Sequence, residues 1–368
     1  MSSQSQIIDT IEKFCASEVV GFLNEHQDSI PYPRDLIEKL AKLGLFGINI
    51  PEEYGGSKIP ISENLHINRV LSKYWLSIPA LYGTHLRANQ YFIEIGTEDQ
   101  KSETLPKMAS GELIFAHAFH EKGRKKPATF ATSVTKEGNA FLLNGEKEWV
   151  TNAEDADRII VVARNDELSG CSAVVVSKSD PGVKIVKNHS RRGVEGVSLN
   201  RLALSNVRVE PENIIGGPDQ DATEFISGFR AISSLNFSAR CVGLSESIRD
   251  MVSGYLLPDQ RDEVSLPVIA NRWSELQMRH QAIVYYFAGA VSQLRDGGLS
   301  KSEAHRTKVF CSATLQEVVS LARMLAGGTG YASDDHSLIR QLNDAGSLAL
   351  IDTPNDTLLT WAGIEDLE

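Results

Sequence analysis

Lys147-Glu148-Trp149-Val150-Thr151-Asn152-Ala153 is the stretch of this chain best suited to hold a ligand. It sets an indole and a hydroxyl two residues apart, between the tight-turn dipeptide Asn144-Gly145 and an apolar run at 159–163. An aromatic face beside a hydrogen-bond donor suits a flat heteroaromatic ring with polar edge atoms. A Trp near a Thr in a hairpin is also ordinary packing, so the segment gains weight only from what surrounds it.

Composition bounds what could surround it. At 368 residues the chain exceeds one simple core, and two or three domains are expected. Its formal charge of −11 disfavours nucleic acid, which needs a basic footprint. No run approaches the roughly 18 consecutive apolar residues of a membrane span. The first six residues are polar and lack the basic and apolar regions of a secretory leader. A cytoplasmic protein without membrane contact is the expectation. Cys15, Cys171, Cys241 and Cys311 are far apart, without Cys-x-x-Cys or a His at ligand spacing. They read as buried free thiols, not a disulfide framework or a metal site.

Hydrophobic spacing divides the chain into three. Through residue 112 it is helical, with Ile7, Ile8, Ile11, Phe14, Cys15, Val19, Phe22 and Leu23 mostly three and four apart. Pro33 opens a second helix with Leu36, Leu40 and Leu43 on one face, and Pro51 with the Gly55-Gly56 pair breaks the pattern. From 113 to 209, short runs at 129–135, 159–164, 173–177 and 183–186 are rich in Val, Ile, Thr and Phe. Glu137-Gly138, Asn144-Gly145 and Asp180-Pro181-Gly182 separate them as turns, which predicts a small antiparallel β domain. Helical spacing returns near 223, with Phe225, Phe229, Ile232, Leu235, Ala239 and Val242 on one stripe. It continues over 267–295 and 302–325 to the Gly-rich break 326–331. The expectation is an α+β protein: an N-terminal α-helical domain (1–112), a middle β domain (113–218) and a C-terminal helical bundle (219–368).

Six segments in this order resemble the acyl-CoA dehydrogenase family along nearly the whole chain. They are Gly47-Ile48-Asn49-Ile50-Pro51-Glu52-Glu53-Tyr54-Gly55-Gly56; Gly96-Thr97-Glu98-Asp99-Gln100-Lys101 with Leu105-Pro106; Trp149-Val150-Thr151-Asn152-Ala153; Val207-Arg208-Val209 with Glu212-Asn213-Ile214-Ile215-Gly216; Gly327-Gly328-Thr329-Gly330-Tyr331; and Arg340 with Asp344-Ala345. The resemblance implies the family's fold, whose C-terminal part is a four-helix bundle, and FAD held between the β domain and the C-terminal helices. It implies an acyl thioester substrate, on CoA or an acyl-carrier protein. It also implies a homodimer or homotetramer, with an electron-transfer flavoprotein as a candidate redox partner. In such desaturation a carboxylate removes an α-proton while the β-hydrogen leaves as hydride, and hydrogen bonds to the thioester carbonyl make the α-proton acidic.

Carried over residue by residue, Trp149 corresponds to the flavin-stacking tryptophan and Thr151 to the threonine at the flavin edge. Phe119 would present its backbone to the ring, and His120 stands where the family has a threonine, able to stabilise charge on the reduced ring. Gly327 and Gly328 allow close backbone approach, and Arg261 keeps the spacing to Pro267 of the family's pyrophosphate-binding arginine. Counting from Asp344-Ala345, the family's catalytic glutamate falls on Asp352, one methylene shorter. Each has a plainer reading: Asp352 as the N-cap of a helix near Thr357, Arg261 as a solvated charge, the glycines as a helix–helix turn.

Departures from the family pattern are concentrated around the ligands. The Gly-Ser-Asp segment has become Lys122-Gly123-Arg124-Lys125-Lys126-Pro127, whose Lys125 and Lys126 could meet the phosphates of a CoA or phosphopantetheine arm. Phe-Gly after the arginine has become Val264-Ser265, and the arginine of the first bundle helix is replaced around Ser233 and Ser234. Three functions therefore stay open. They are an acyl-thioester dehydrogenase, a flavin monooxygenase or oxidase on the same fold, and a non-catalytic subunit of a heteromeric dehydrogenase. A nicotinamide enzyme is disfavoured, because no Gly-x-Gly-x-x-Gly follows a strand.

Overall fold

The computed structural model describes residues 3–27, 29–123, 126–187, 192–256, 266–332 and 336–367. Lys125 and Arg261 lie outside the described residues.

The N-terminal part holds α1 (Ser3–Phe14), a short π-helical turn (Cys15–Val19), α2 (Val20–Glu25), α3 (Arg34–Lys42), α4 (Ile61–Tyr74), α5 (Ser77–Ile95) and α6 (Glu98–Ser110). In α3, Leu36, Ile37, Leu40 and Ala41 are buried together, as their spacing predicts. Leu43 caps the helix and is exposed. α6 opens on a capping box, with Thr97 and Gln100 each accepting from the other's amide. Gln100 also donates to the carbonyls of Glu212 and Ile214 and accepts from the Gly216 amide. Two of the sequence motifs, 96–101 and 212–216, thus meet through one side chain.

The middle part is a seven-stranded sheet: β1 (Phe115–Ala118), β2 (Ser133–Glu137), β3 (Ala140–Thr151), β4 (Arg158–Asn165), β5 (Gly170–Val176), β6 (Val183–Lys187) and β7 (Leu199–Val209). It is mixed, not wholly antiparallel as the turn signals predict. β4 runs parallel to β1 over 158–161 and to β2 at 164 and 165, while its other edge pairs antiparallel with β5. β4 is also buried on both faces. Ile159, Val161 and Ala163 join the core inside the sheet, and Ile160 and Val162 join Phe92, Leu105 and Met108 of α5 and α6. Its unbroken apolar run follows from that double burial.

Glu137 and Ala140 close a hairpin around Gly138-Asn139, with Gly138 at φ 63°. The expected turn at Asn144-Gly145 is instead a bulge within β3, where the register to β7 shifts between Leu143 and Gly145. Gly145 sits at φ 139°, and a Cβ there would lie 2.4 Å from the Thr132 Cα, so glycine serves close strand packing rather than a hairpin loop.

The C-terminal part contains α7 (Thr223–Tyr255), α8 (Leu266–Arg295), α9 (Lys301–Ala326), α10 (His336–Ser347) and α11 (Asn355–Leu367). α7, α8, α9 and α10 form a bundle, and α11 packs along α9. α9 is long and apolar enough to cross a membrane by composition, but Cys311, Leu315, Val318 and Ala322 are buried in this core. The helices on either side of the sheet share one hydrophobic core: Ile11, Leu65 and Leu71 pack with Leu235, Val242 and Leu315. All four cysteines are buried and free.

Candidate active site

Four separate pieces of chain line one cleft. α5 contributes Arg87 and Tyr91, one turn apart, and α7 contributes Phe225, Ile226, Phe229, Arg230 and Ser233 from one helical face. The end of β1 brings His117, Phe119 and His120, while the α10–α11 connection brings Asp352, Thr353 and Pro354, with Trp361 of α11 on the rim.

Asp352 takes a left-handed backbone conformation, φ 67°. The connection is anchored from beneath by Lys308, fully buried, which donates to the Thr353 carbonyl at 2.7 Å and to Asn355 Oδ1 at 3.1 Å. The Asp352 carboxylate, 19% exposed, turns into the cleft instead of capping α11. One oxygen pairs with Arg87 Nη2 at 3.2 Å, and the other accepts from Ser233 Oγ at 3.1 Å. Arg87 Nη2 also donates to Ser233 Oγ at 2.7 Å, closing a triangle. Burial alone would raise the Asp352 pKa. Arg87, His120, Lys308 and the Ser233 hydroxyl outweigh it and bring the group down to about 2.

The two histidines of the cleft are uncharged at neutral pH. Burial holds His117 well below its ordinary value, reinforced by Arg87, and its Nε2 meets Tyr91 Oη at 2.9 Å. Burial also lowers His120, against the opposing pull of Asp352. Arg230 lies over the Trp361 ring at 4.5 Å and the Phe119 ring at 5.7 Å. Burial lowers its pKa, yet a guanidinium stays protonated.

Beside the cleft, β3 is bulged a second time, between Lys147 and Val150. Trp149 sits in that bulge at φ 57°, costly for a bulky residue, with 57% of its surface exposed. The Glu148 amide donates to the His120 carbonyl at 2.8 Å, and Thr151 pairs with His117. The indole and hydroxyl therefore stand next to the strand that carries Phe119 and His120.

A buried ion pair fixes that strand's end. Lys147 Nζ donates to Glu121 Oε1 at 2.7 Å and to the Phe119 carbonyl at 3.2 Å, and lies 3.8 Å from the Phe130 ring centre. Glu121 also accepts from the Ala131 and Thr132 amides. Burial lowers the Lys147 pKa to about 8, with Glu121 opposing. For Glu121, burial pushes upward, but Lys147 and the amides hold the group below its usual value.

Of the residues singled out from sequence, Asp352, Phe119 and His120 line the cleft, and Trp149 and Thr151 flank it. Lys126 is exposed and outside it, as are Gly327 and Gly328 at the end of α9. Gly327 has φ 58°, which favours glycine, whereas a Cβ at Gly328 would meet nothing within 4 Å. Sequence reading missed Arg87, Tyr91, His117, Arg230 and Trp361. The available signal was Arg87 itself, the one Lys or Arg of α5, four residues before Tyr91.

Profiles of the acyl-CoA dehydrogenase N-terminal, middle and C-terminal domains match residues 1–112, 120–207 and 231–360. The chain is 26% identical over 352 residues to 3-(aryl)acrylate reductase of Clostridium sporogenes, covering 90% of each chain. It is 27% identical over 356 residues to acryloyl-CoA reductase (NADH) of Anaerotignum propionicum, covering 93% of this chain and 89% of that one. The fold matches butyryl-CoA dehydrogenase from Megasphaera elsdenii with a TM-score of 0.89 at 21% identity, across 100% of this chain and 99% of that one. With all three profiles matched in order around this cleft, the chain belongs to the acyl-CoA dehydrogenase family of oxidoreductases.

Proposed function

We propose that this chain is an FAD-dependent oxidoreductase acting at the α,β carbon–carbon bond of an acyl group, dehydrogenating an acyl thioester borne by CoA or a carrier protein. The observation that carries this reading is the convergence of the β1 end, the second β3 bulge and the Asp352 connection on one cleft. Trp149 bears on the fit of a flavin: a large indole, held at a costly φ and left more than half exposed, offers an uncovered flat face. Thr151, Phe119 and His120 stand next to it and would hold the polar edge. In this reading Gly327, Gly328 and Arg261 serve the cofactor's far end, and Lys125 and Lys126 the substrate's phosphates. FAD, when bound, supplies two-electron chemistry.

The protein's own part is to hold the acyl group and manage one proton. Tyr91, Phe225 and Phe229 exclude water around the reacting carbons, and Asp352 is the base at the α-carbon. A carboxylate with a pKa of about 2 is a poor base. Proton transfer therefore requires that Arg87 loosen its hold on the carboxylate. Both curated relatives above are named as reductases, which supports the same bond run in the opposite direction.

The test is Asp352→Asn, which keeps shape and removes basicity. Turnover of acyl thioesters should fall by roughly 10²–10⁴-fold, with the visible flavin spectrum and released FAD unchanged. Full turnover by the variant would sink this assignment. The Arg87–Asp352 pair also favours a second reading, an oxidase or monooxygenase that does without a strong base. Substrate-dependent oxygen uptake would establish that reading, with hydrogen peroxide and an enoyl product for an oxidase or an oxygenated product for a monooxygenase; an enoyl product formed without oxygen uptake excludes it.

A further inference from the structure

A saturated acyl chain needs only an apolar slot, and this cleft adds three charged groups to its aromatic walls. Two guanidiniums, Arg87 and Arg230, and one carboxylate, Asp352, line it, while both histidines are neutral. The lining is therefore net cationic among the described residues. Burying a guanidinium is costly unless charge and hydrogen bonds offset it. Arg87 is only 23% exposed, and both of its hydrogen bonds leave from Nη2. The rest of its planar fork, Nε and Nη1, is directed to no other described side chain in a hydrogen bond. A guanidinium grips a carboxylate in bidentate fashion through Nη2 together with Nε or Nη1, so a carboxylate bound that way must take the place at Nη2 that Asp352 now holds. The flanking walls are aromatic: Tyr91 and Phe225 meet edge to face at 4.8 Å, and Phe229 lies 5.3 Å from the Arg87 guanidinium.

We propose that Arg87 is a specificity residue that binds a carboxylate on the substrate, so that the reacting molecule is an anion with a flat apolar body, and that this carboxylate displaces Asp352 from Arg87. The inference rests on the function proposed above and narrows its substrate class. Displacement has a consequence for the proton. Asp352 then loses its nearest counter-charge and gains a negative neighbour, both of which raise its proton affinity. The base is restrained in the empty cleft and released by its own substrate. Ser233, which donates to Asp352 and accepts from Arg87, can keep its hydrogen bond to the aspartate during the exchange.

The carboxylate could come from the far end of an acyl thioester, the source that fits the function proposed above, or from a free acid, which would replace that reading with one that uses no thioester. Calorimetric titration of the full chain with two matched pairs distinguishes these sources. One pair is 3-phenylpropanoate and 3-phenylpropanamide; the other is glutaryl-CoA and pentanoyl-CoA. The anionic member of one pair should bind at least about tenfold more tightly than its neutral partner, and the pair showing the preference identifies the source. Arg87→Gln should abolish that preference and Arg87→Lys should retain part of it, with circular dichroism unchanged. Equal binding within both pairs, no binding in either, or a preference that survives Arg87→Gln overturns the proposal. The titration reads binding, not turnover. Loss of the charge preference therefore stands apart from failure of the Asp352 assignment, which is read in the kinetics of Asp352→Asn.

Discussion

Asp352 stays ionised in a half-closed aromatic cleft because Arg87 and Ser233 bond both of its oxygens. Its folded pKa of about 2 lies below the ordinary 3.8. The unfolded chain thus binds the proton more readily, and the linked stability is present above pH 3.8 and lost as pH falls toward 2. The linkage amounts to about 2 kcal/mol at most. Asp352→Asn should lower stability at pH 7 by an amount of that order, measured by urea unfolding, and the gap to the parent should narrow below pH 3.8. A gap independent of pH would show that the ion pair contributes nothing net. The aspartate itself was legible in the sequence, as a carboxylate at a fixed count from Asp344-Ala345. Arg87 was not, since its partner lies 265 residues away and helical spacing reports only which face of α5 is buried.

At the scale of the element, β3 carries two bulges and one buried cation, and the cation ties down the end of the site strand. Lys147 is fully buried and ties Glu121 to the Phe119 carbonyl. Removing one member of such a pair strands the other charge. Lys147→Met should cost about 3–5 kcal/mol in guanidinium unfolding, and adding Glu121→Gln should restore more than half of it. A loss under about 0.5 kcal/mol in the single variant would mean that Glu121 is already satisfied by its two amides. Element types were largely readable: the α3 face, the helix that opens near 223 and the hairpin at Gly138 all follow from local spacing. The parallel placement of β4 was not, because no local pattern records which distant strand fills the space beside β1 and β2. Asn144-Gly145 misled for the complementary reason. A residue at positive φ serves a hairpin or a bulge equally well, and the contact with Thr132 that decides between them is tertiary.

Across the whole molecule, the two helical parts share one core, separate from the core inside the sheet, so the order of elements along the chain is not an order of independent units. One carboxylate joins the parts in a way that pH can report. Asp344 of α10 is fully buried and accepts from the Val194 amide of the segment before β7 at 2.5 Å, with the Leu76 amide also directed at it. Burial raises its pKa to about 7; Arg340 and the amide bonds oppose that rise and Glu195 adds to it. The folded protein therefore holds a proton that the unfolded chain has released above pH 3.8. The resulting stabilisation is complete below pH 3.8 and disappears as pH rises through 7. Asn at this position can still accept from Val194 and never ionises. Asp344→Asn should match the parent closely near pH 3.5 and melt several degrees above it at pH 8, by differential scanning calorimetry at both values. Equal melting differences at the two pH values would show that Asp344 is ionised in the folded protein throughout. Arg340 would then be its effective counter-charge, and the junction between α10 and the sheet would be held by charge rather than by a shared proton.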